Sequence, residues 1–544
     1  MGRKEERVER RFGGSGPRVI EGKAEAVTET VVDGRLWNGA ERTAITRLLT
    51  DVKEVSLTPT LLINNVPAVF SETVPDSLLG RQNAKLVETM NRKHAIICNV
   101  GSKYRVLEWV PSEFDLGVLV PSFQTQDDFK KRYSDWVPTD AGLKKHSELW
   151  LSHRNRAQYD QIAFLPGAAK CVAVDVEGVP TTILNTWRGF AFDPVSGDWS
   201  RLQWHIRHIL ARGDPVREKY ILDWIAAGLQ RPGTKRRVCI VFIGDEGVGK
   251  DVFGHALLRM YGAHGFYISQ PSQLTGKFNN HLWHVCFVFA DEAFFAGDRQ
   301  AENILKSLIT DPMLTIEPKG VNAFRVKNML DMMIASNHEW VVPVHKHGRR
   351  YAVFDVDGRF GKGMCSDADR EAYFKPLWEE INGGGIAAMM HDLLGRDLSG
   401  WNPEAFPITP ALVKQKQQTL RGFDKAVEAW LQTGVLPRCQ KSIRCPPNCT
   451  STEAMLAYIK DLRGSEYETA SNLKIYLKGW KRLDSDEQLI NTKWRVGGEG
   501  NGGAKFPDLA ECRAVFSAHF GGDWPWDETV TGWTNELTGL KEEK

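Results

Sequence analysis

Ile240-Val241-Phe242-Ile243-Gly244-Asp245-Glu246-Gly247-Val248-Gly249-Lys250-Asp251-Val252-Phe253 joins an apolar run to a glycine-rich turn and a second apolar pattern. Val238 to Ile243 is apolar and β-branched over the length of one strand. Val252, Phe253, Ala256, Leu257, Leu258 and Met260, within Asp251 to Tyr261, suit a helix packed on a sheet. The turn fits G-x-x-x-x-G-K, from Gly244 through Glu246, Gly247, Val248 and Gly249 to Lys250. Glycines let successive N–H groups surround phosphate oxygens, and the helix N-terminus adds positive potential. Lys250 is placed to reach the β- and γ-phosphates. Asp251 stands where the pattern has a metal-holding Ser or Thr. Its carboxylate can hold Mg²⁺ directly or through water, but repels phosphate until a metal neutralises it. The stretch predicts a strand–loop–helix unit that takes ATP and Mg²⁺; the bland alternative is a glycine-rich turn with no nucleotide role.

Three further segments bear on that choice. Val285 to Ala290 is a second apolar strand, closed by Asp291-Glu292. Asp291 is placed to hold Mg²⁺, or its water, together with Asp251; Glu292 is the candidate base for an attacking water. Met329 to Ser336 is a third such strand, and Asn337 at its end can orient that water or sense the γ-phosphate; a turn-capping Asn is the alternative. Arg349-Arg350 precede the apolar Tyr351 to Phe354. An arginine here can neutralise charge on a neighbouring subunit's nucleotide, or simply sit on a solvated turn.

In this order the motifs resemble the superfamily 3 helicases, specifically the helicase domain of primase–helicase replication proteins of phages, plasmids and large DNA viruses. The resemblance runs from about Leu222 to Val356 and includes Ile316-Glu317-Pro318-Lys319-Gly320 and Val342-Pro343-Val344. It implies an AAA+-like ring, usually a hexamer, that hydrolyses ATP to translocate on one DNA strand, with the arginine acting in trans. Met313 to Glu317 and Ala323 to Lys327 read as a hairpin, and the resemblance implies a basic residue there that contacts DNA in a central channel. Lys319 and Lys327 are the candidates; both are also ordinary surface lysines beside a turn. Asp251 departs from the family pattern and bears on metal geometry and rate.

The fold class read from the whole chain is α/β: a P-loop AAA+-like (ASCE) motor domain, an N-terminal α+β region and a C-terminal winged-helix domain. The expected divisions are a flexible tail at 1–20, an α+β domain at 21–150, a pre-motor module at 151–215, the ATPase domain at 216–400 and a helical, winged-helix-like domain at 401–544. Trp136-Val137-Pro138 is expected to start a loop, and Asn185 to Gly197 to form hairpins before a Trp204 to Leu210 helix. Ala411 to Leu431 reads as one long amphipathic helix. Glu453 to Leu462 and Ser471 to Trp480 follow as helices before the glycines at 497–503.

Composition agrees with a multidomain chain: 544 residues suit three or four domains, and 18 tryptophans allow sizeable cores. A net charge of +2 neither requires nor excludes DNA, so any positive surface must be local. No apolar run reaches the roughly 18 residues of a membrane span, and no apolar stretch follows the charged N-terminus. The expected compartment is the cytoplasm, of a bacterial host if the chain is phage-encoded, and nine cysteines fit mostly free thiols there. Cys439, Cys445 and Cys449, with Cys512 as a distant fourth, lack the usual paired zinc spacing. Asp175 and Glu177 suggest a two-metal site, but Gly178-Val179-Pro180 makes a hairpin turn the better account. Tyr220 and Trp224 are read as core, and Lys235-Arg236-Arg237 as either DNA-facing or a flank of the first strand.

The functional expectation is a replicative DNA helicase of phage or prophage type, acting on single-stranded and forked DNA as a homo-oligomer, with any primase or polymerase on a separate chain. Its rivals are an AAA+-like ATPase that remodels protein or nucleoprotein without unwinding, and a nucleic-acid scaffold with a degenerate pocket.

Overall fold

The computed structural model describes residues 77–111, 119–270, 272–276, 279–292, 299–317, 323–346, 348–438, 445–462, 464–496 and 501–535, with strand pieces at Arg18–Val19, Leu62–Ile63 and Val66–Pro67. Lys319, Cys439 and most of the expected flexible tail lie outside the described residues. The fold is mixed α/β.

The chain first builds α1 (Leu78–Lys93) and an antiparallel set β1 (His94–Val100), β2 (Lys103–Pro111) and β3 (Leu119–Gln124). Helix α2 (Gln126–Arg132) follows, then β4 (Trp136–Thr139) and β5 (Gly142–Lys145). These two pair as a hairpin, so Trp136 starts a strand rather than the expected loop. Helix α3 is His146–Ser152. Strands β6 (Gln158–Tyr159) and β7 (Gln161–Ala163) lead to the hairpin β8 (Cys171–Val176) and β9 (Val179–Asn185). Glu177 and Gly178 turn it with positive φ, and Asp175 accepts a hydrogen bond from the Gly178 N–H, which accounts for the acid there. Hairpins expected over 185–197 are absent among the described residues: Asn185 ends β9 and bonds with its own neighbourhood, donating to Leu165 O, Ala168 O and Ala169 O.

Helix α4 (Ser200–His205) continues as a π-helical turn to Leu210, and α5 spans Pro215–Gln230 with Asp214 as its N-cap. Tyr220 and Trp224 on α5 are buried, and the Trp224 indole donates to Val238 O at 3.1 Å. Both are core, as expected.

The central sheet follows. Its strands are β10 (Cys239–Ile243), β11 (Gly265–Ile268), β12 (Phe287–Asp291), β15 (Asp331–Ser336) and β16 (Tyr351–Asp355), all parallel, in the order β11-β12-β15-β10-β16. Helix α6 (Lys250–Tyr261) follows β10, and α7 (Arg299–Thr310) precedes the antiparallel hairpin β13 (Met313–Ile316) and β14 (Phe324–Lys327). One face of the sheet buries Phe242, Phe289 and Phe354 with Phe253 of α6 and Trp224 of α5. The other buries Val241, Val288 and Ile334 with Leu305 of α7. A parallel sheet covered on both faces needs the near-continuous apolar strands seen here.

Beyond the sheet lie α8 (Asp367–Glu380) and α9 (Ile386–Leu394). The single helix expected over Ala411 to Leu431 is two, α10 (Pro410–Thr419) and α11 (Gly422–Thr433), broken where Leu420 and Arg421 take non-helical backbone. The halves pack differently: α10 bridges two cores, with Leu412 on the central sheet and Val413 in a C-terminal core, whereas Ala426, Val427 and Trp430 of α11 pack into the C-terminal core. That core is completed by β17 (Cys449–Ser451), α12 (Thr452–Asp461), α13 (Ala470–Lys478), β18 (Arg495–Val496), β19 (Asn501–Lys505) and α14 (Leu509–Phe520). Its sheet runs β17-β19-β18, antiparallel.

Candidate nucleotide site

Register brings the sequence candidates to one edge. Ile243 pairs with Ser336 and Asp355, and Asp291 pairs with Ala335. The residues that follow β10, β12 and β15 therefore emerge together: Gly244, Glu292 and Asn337. The edge is stitched by its backbone, with the Gly244 N–H donating to Ser336 O at 3.2 Å and the Glu292 N–H to Ala335 O at 2.9 Å.

The loop itself depends on glycine. Gly249 has φ +95°, and a Cβ there would sit 2.6 Å from His205 Cε1 and 2.8 Å from Phe374 Cε1, so no other residue fits. Gly247 also has positive φ, and Val248 is buried. Lys250 is buried, with Nζ donating to Gly244 O and Asp245 O at 2.7 Å each. Burial pulls its ammonium below the usual lysine value, while the carboxylates of Glu292, Asp251, Asp291 and Asp245 oppose that shift.

The acids make the complementary half. Half-buried Asp291 is raised above the usual carboxylate value, first by burial and then by Asp251, with Glu292 adding to it. A bond from the Tyr267 hydroxyl at 3.2 Å works the other way. Two carboxylates that repel each other beside a phosphate-type loop fit a divalent cation, with phosphate oxygens and water supplying the other positions. Among the described residues no three His, Cys, Asp or Glu side chains form a metal cage, so Asp251 and Asp291 would hold Mg²⁺ only with such help. Glu292 is exposed and has φ +55°, a conformation that costs a non-glycine residue about 1 kcal/mol. Its bond to Ala335 O fixes that backbone, a local strain of the kind found where side-chain direction matters.

The other candidates divide. Asn337 is exposed at the same edge. Arg349 and Arg350 lie at the start of β16, the opposite end of the sheet, a strand length of about 16 Å away. They cannot serve the loop of their own chain. Arg349 is exposed, 3.4 Å from Glu404, and Arg350 is half-buried with no hydrogen-bond partner for Nε among the described residues. Lys327 is exposed and lines a groove of about 310 Å³ with Asn99, Phe164, Trp283 and Phe324, between the hairpin and the N-terminal strands. Cys445, Cys449 and Cys512 are free thiols.

Sequence reading missed the wall of the loop. The buried His205 imidazole meets Gly249 O through Nε2 at 3.1 Å and the Tyr373 hydroxyl through Nδ1 at 2.8 Å. Burial holds its pKa down at about 4, so the ring is neutral. Phe360 stacks on Tyr373 at 3.9 Å, and two residues on the Lys362 N–H donates to Glu246 O at 3.1 Å. His205 lies 44 residues before Gly249, in no motif, and only the fold joins them.

Residues 242–350 match a family described as "Family of unknown function (DUF5906)". The chain is 27% identical over 140 residues to the DNA primase-polymerase of Nitratiruptor phage NrS-1, covering 25% of this chain and 19% of the relative. It thus spans about a fifth of that curated relative's length. The apo structure of the NrS-1 C-terminal region (305–718) is similar with a TM-score of 0.54 and 14% identity, over 78% of this chain and 99% of that one. A second, the A form of the same region, gives 0.54 and 15% over the same shares. At these identities the likeness is one of fold.

Proposed function

We propose that this chain is an ATP-dependent DNA helicase of a phage-type replication system, working as a ring, usually a hexamer, on single-stranded and forked DNA. The observation that carries the reading is the meeting of Lys250, Asp251, Asp291, Glu292 and Asn337 at one edge of a parallel sheet, around a loop whose last glycine admits no side chain. The strand order supports an AAA+-like (ASCE) motor: β15, which leads into Asn337, lies between the loop strand β10 and the acidic strand β12. The relative named as a phage primase-polymerase supports a role in phage DNA replication.

In this reading the loop N–H groups and Lys250 bind and orient the triphosphate. Asp251 and Asp291 hold Mg²⁺, which when bound neutralises charge on the phosphates. Glu292 takes a proton from the attacking water, and Asn337 orients that water. Arg349 or Arg350 reaches the nucleotide of the next subunit, which suits a position at the far edge of the sheet. Lys327, and Lys319 between the two hairpin strands in sequence, follow the DNA strand.

The C-terminal core supports the winged-helix assignment. Its elements run α11, β17, α12, α13, β18, β19, and α13 presents Ser471, Asn472, Lys474, Ile475 and Lys478 to solvent. That is the order of a winged helix with α13 as the groove-facing helix.

Unwinding of a forked duplex with ATP tests the proposal. The unmodified chain is expected to separate strands, Lys250→Ala to lose nucleotide binding, and Glu292→Gln to bind ATP but hydrolyse it at least about 100-fold more slowly. ATP turnover without strand separation would favour a remodelling ATPase. Undiminished turnover in Glu292→Gln would remove that residue from the mechanism.

A further inference from the structure

Gly249 ends the phosphate loop in a conformation only glycine takes freely, and that freedom is also a hazard. Rotation of the Gly249–Lys250 peptide would turn its N–H away from a bound anion and aim its carbonyl oxygen at it. Such a flip turns ψ of Gly249 together with φ of Lys250, and glycine leaves the first of these unhindered, so a contact that holds Gly249 O from outside the loop adds to what Lys250 contributes at the start of α6.

We propose that His205 and Tyr373 are positioning residues that latch this peptide with its carbonyl turned away from the anion. The inference rests on the nucleotide-binding reading of the loop. Neutral His205 donates its Nε2–H to Gly249 O at 3.1 Å. That tautomer leaves Nδ1 as an acceptor for the Tyr373 O–H at 2.8 Å. Both ring nitrogens are engaged, and the imidazole is fully buried, so it has one orientation. Tyr373 in turn is set by Phe360, stacked at 3.9 Å with only 9° between the rings. The segment carrying Phe360 returns to the loop, where the Lys362 N–H holds Glu246 O at 3.1 Å. One run of contacts therefore grips the loop at Glu246 and at Gly249. Tyr373 belongs to α8, so a shift of α8 is transmitted to the peptide that faces phosphate.

Amide hydrogen exchange of 244–250 in the nucleotide-free chain, with Kd values for ATP and inorganic tripolyphosphate, tests the latch. Tyr373→Phe keeps the stack and removes only the hydroxyl; His205→Leu removes the donor. Each is expected to speed loop exchange about tenfold and to weaken both ligands by a similar factor of about five to ten, with kcat at saturating ATP within about twofold. His205→Gln should restore most of the affinity, because its amide N–H can take the place of Nε2–H. Unchanged exchange in folded Tyr373→Phe and His205→Leu would overturn the latch, as would failure of His205→Gln to recover what His205→Leu loses. Faster exchange in a chain that binds neither ligand even unmodified would keep the latch and sink the nucleotide reading instead.

Discussion

The two ends of the central sheet treat charge in opposite ways. At the end where strands begin, Arg236 and Asp331 are both buried and pair at 2.8 Å, and the Arg236 N–H donates to Asp331 at 2.9 Å. The guanidinium lies 3.5 Å from the Trp224 ring centre. Lys235 donates to Leu308 O and Leu330 O at 2.5 Å each, and burial brings its pKa down to about 8. There the charges are spent on the fold, which settles Lys235 and Arg236 of the basic triplet as structural. At the end where strands finish, Asp355 is paired with Arg212 and Arg217, but Asp251 and Glu292 crowd Asp291, and among the described residues Lys250 bonds backbone carbonyls. A sheet end that leaves acids in mutual repulsion is arranged for something that binds there.

The largest expected effect breaks the stabilising end. Asp331→Ala strands the buried Arg236 charge and should cost about 3–5 kcal/mol, measured by urea unfolding of the central domain signal. Replacing Asp251, Asp291 or Glu292 at the other end should cost almost nothing. If Asp331→Ala and Glu292→Gln lose similar stability, the contrast between the ends is wrong.

How much of this was visible beforehand follows the range of each signal. The loop, the acidic strand and the Asn strand could be read because apolar strand runs and short motifs are local. Their meeting at one edge needed only the parallel register of adjacent strands. The hairpin β13–β14 was legible for the same reason. Contacts across the fold were not: His205 and Tyr373 carry no spacing that points to Gly249, and Arg236 looks like any basic flank until Asp331 is found 95 residues on. The break at Leu420 escaped because helical periodicity continues through it; what divides α10 from α11 is that α10 bridges the sheet core and the C-terminal core through Leu412 and Val413, whereas α11 packs into the C-terminal one.

A second effect sharpens the contrast through pH. His264 and His284 lie just before β11 and β12, at the stabilising end, and burial lowers their pKa values to about 4 and about 3. His264 accepts the Arg188 N–H on Nε2 and donates from Nδ1 to His284 O, so protonation would cost it an acceptor. Folded values below the ordinary 6.5 mean that the unfolded chain takes up protons first. The stability they contribute is complete above about pH 6.5 and is lost progressively as pH falls through about 4 for His264 and about 3 for His284. Tm is expected to drop between pH 7 and pH 5, and His264→Gln with His284→Gln should flatten that dependence. An unaltered slope in the double variant would show that neither ring is held neutral by the fold.

The smallest effect probes the other end and should have the opposite sign. Asp291→Asn keeps an acceptor for the Tyr267 hydroxyl but removes the charge that Asp251 and Glu292 oppose. Without divalent cation, it should leave stability unchanged or raise it by about 0.5 kcal/mol, within the range of an ordinary surface substitution. With ATP and Mg²⁺ the order should reverse, because ligand stabilises only the chain that binds it, and about 100 Kd of ligand is worth about 2.7 kcal/mol. Thermal shifts of both chains, with and without Mg²⁺ and ATP, give the four values needed. A substitution that destabilises the ligand-free chain would mean that Asp291 is paired within the fold, and the acids at this end would then be structural like those at the other.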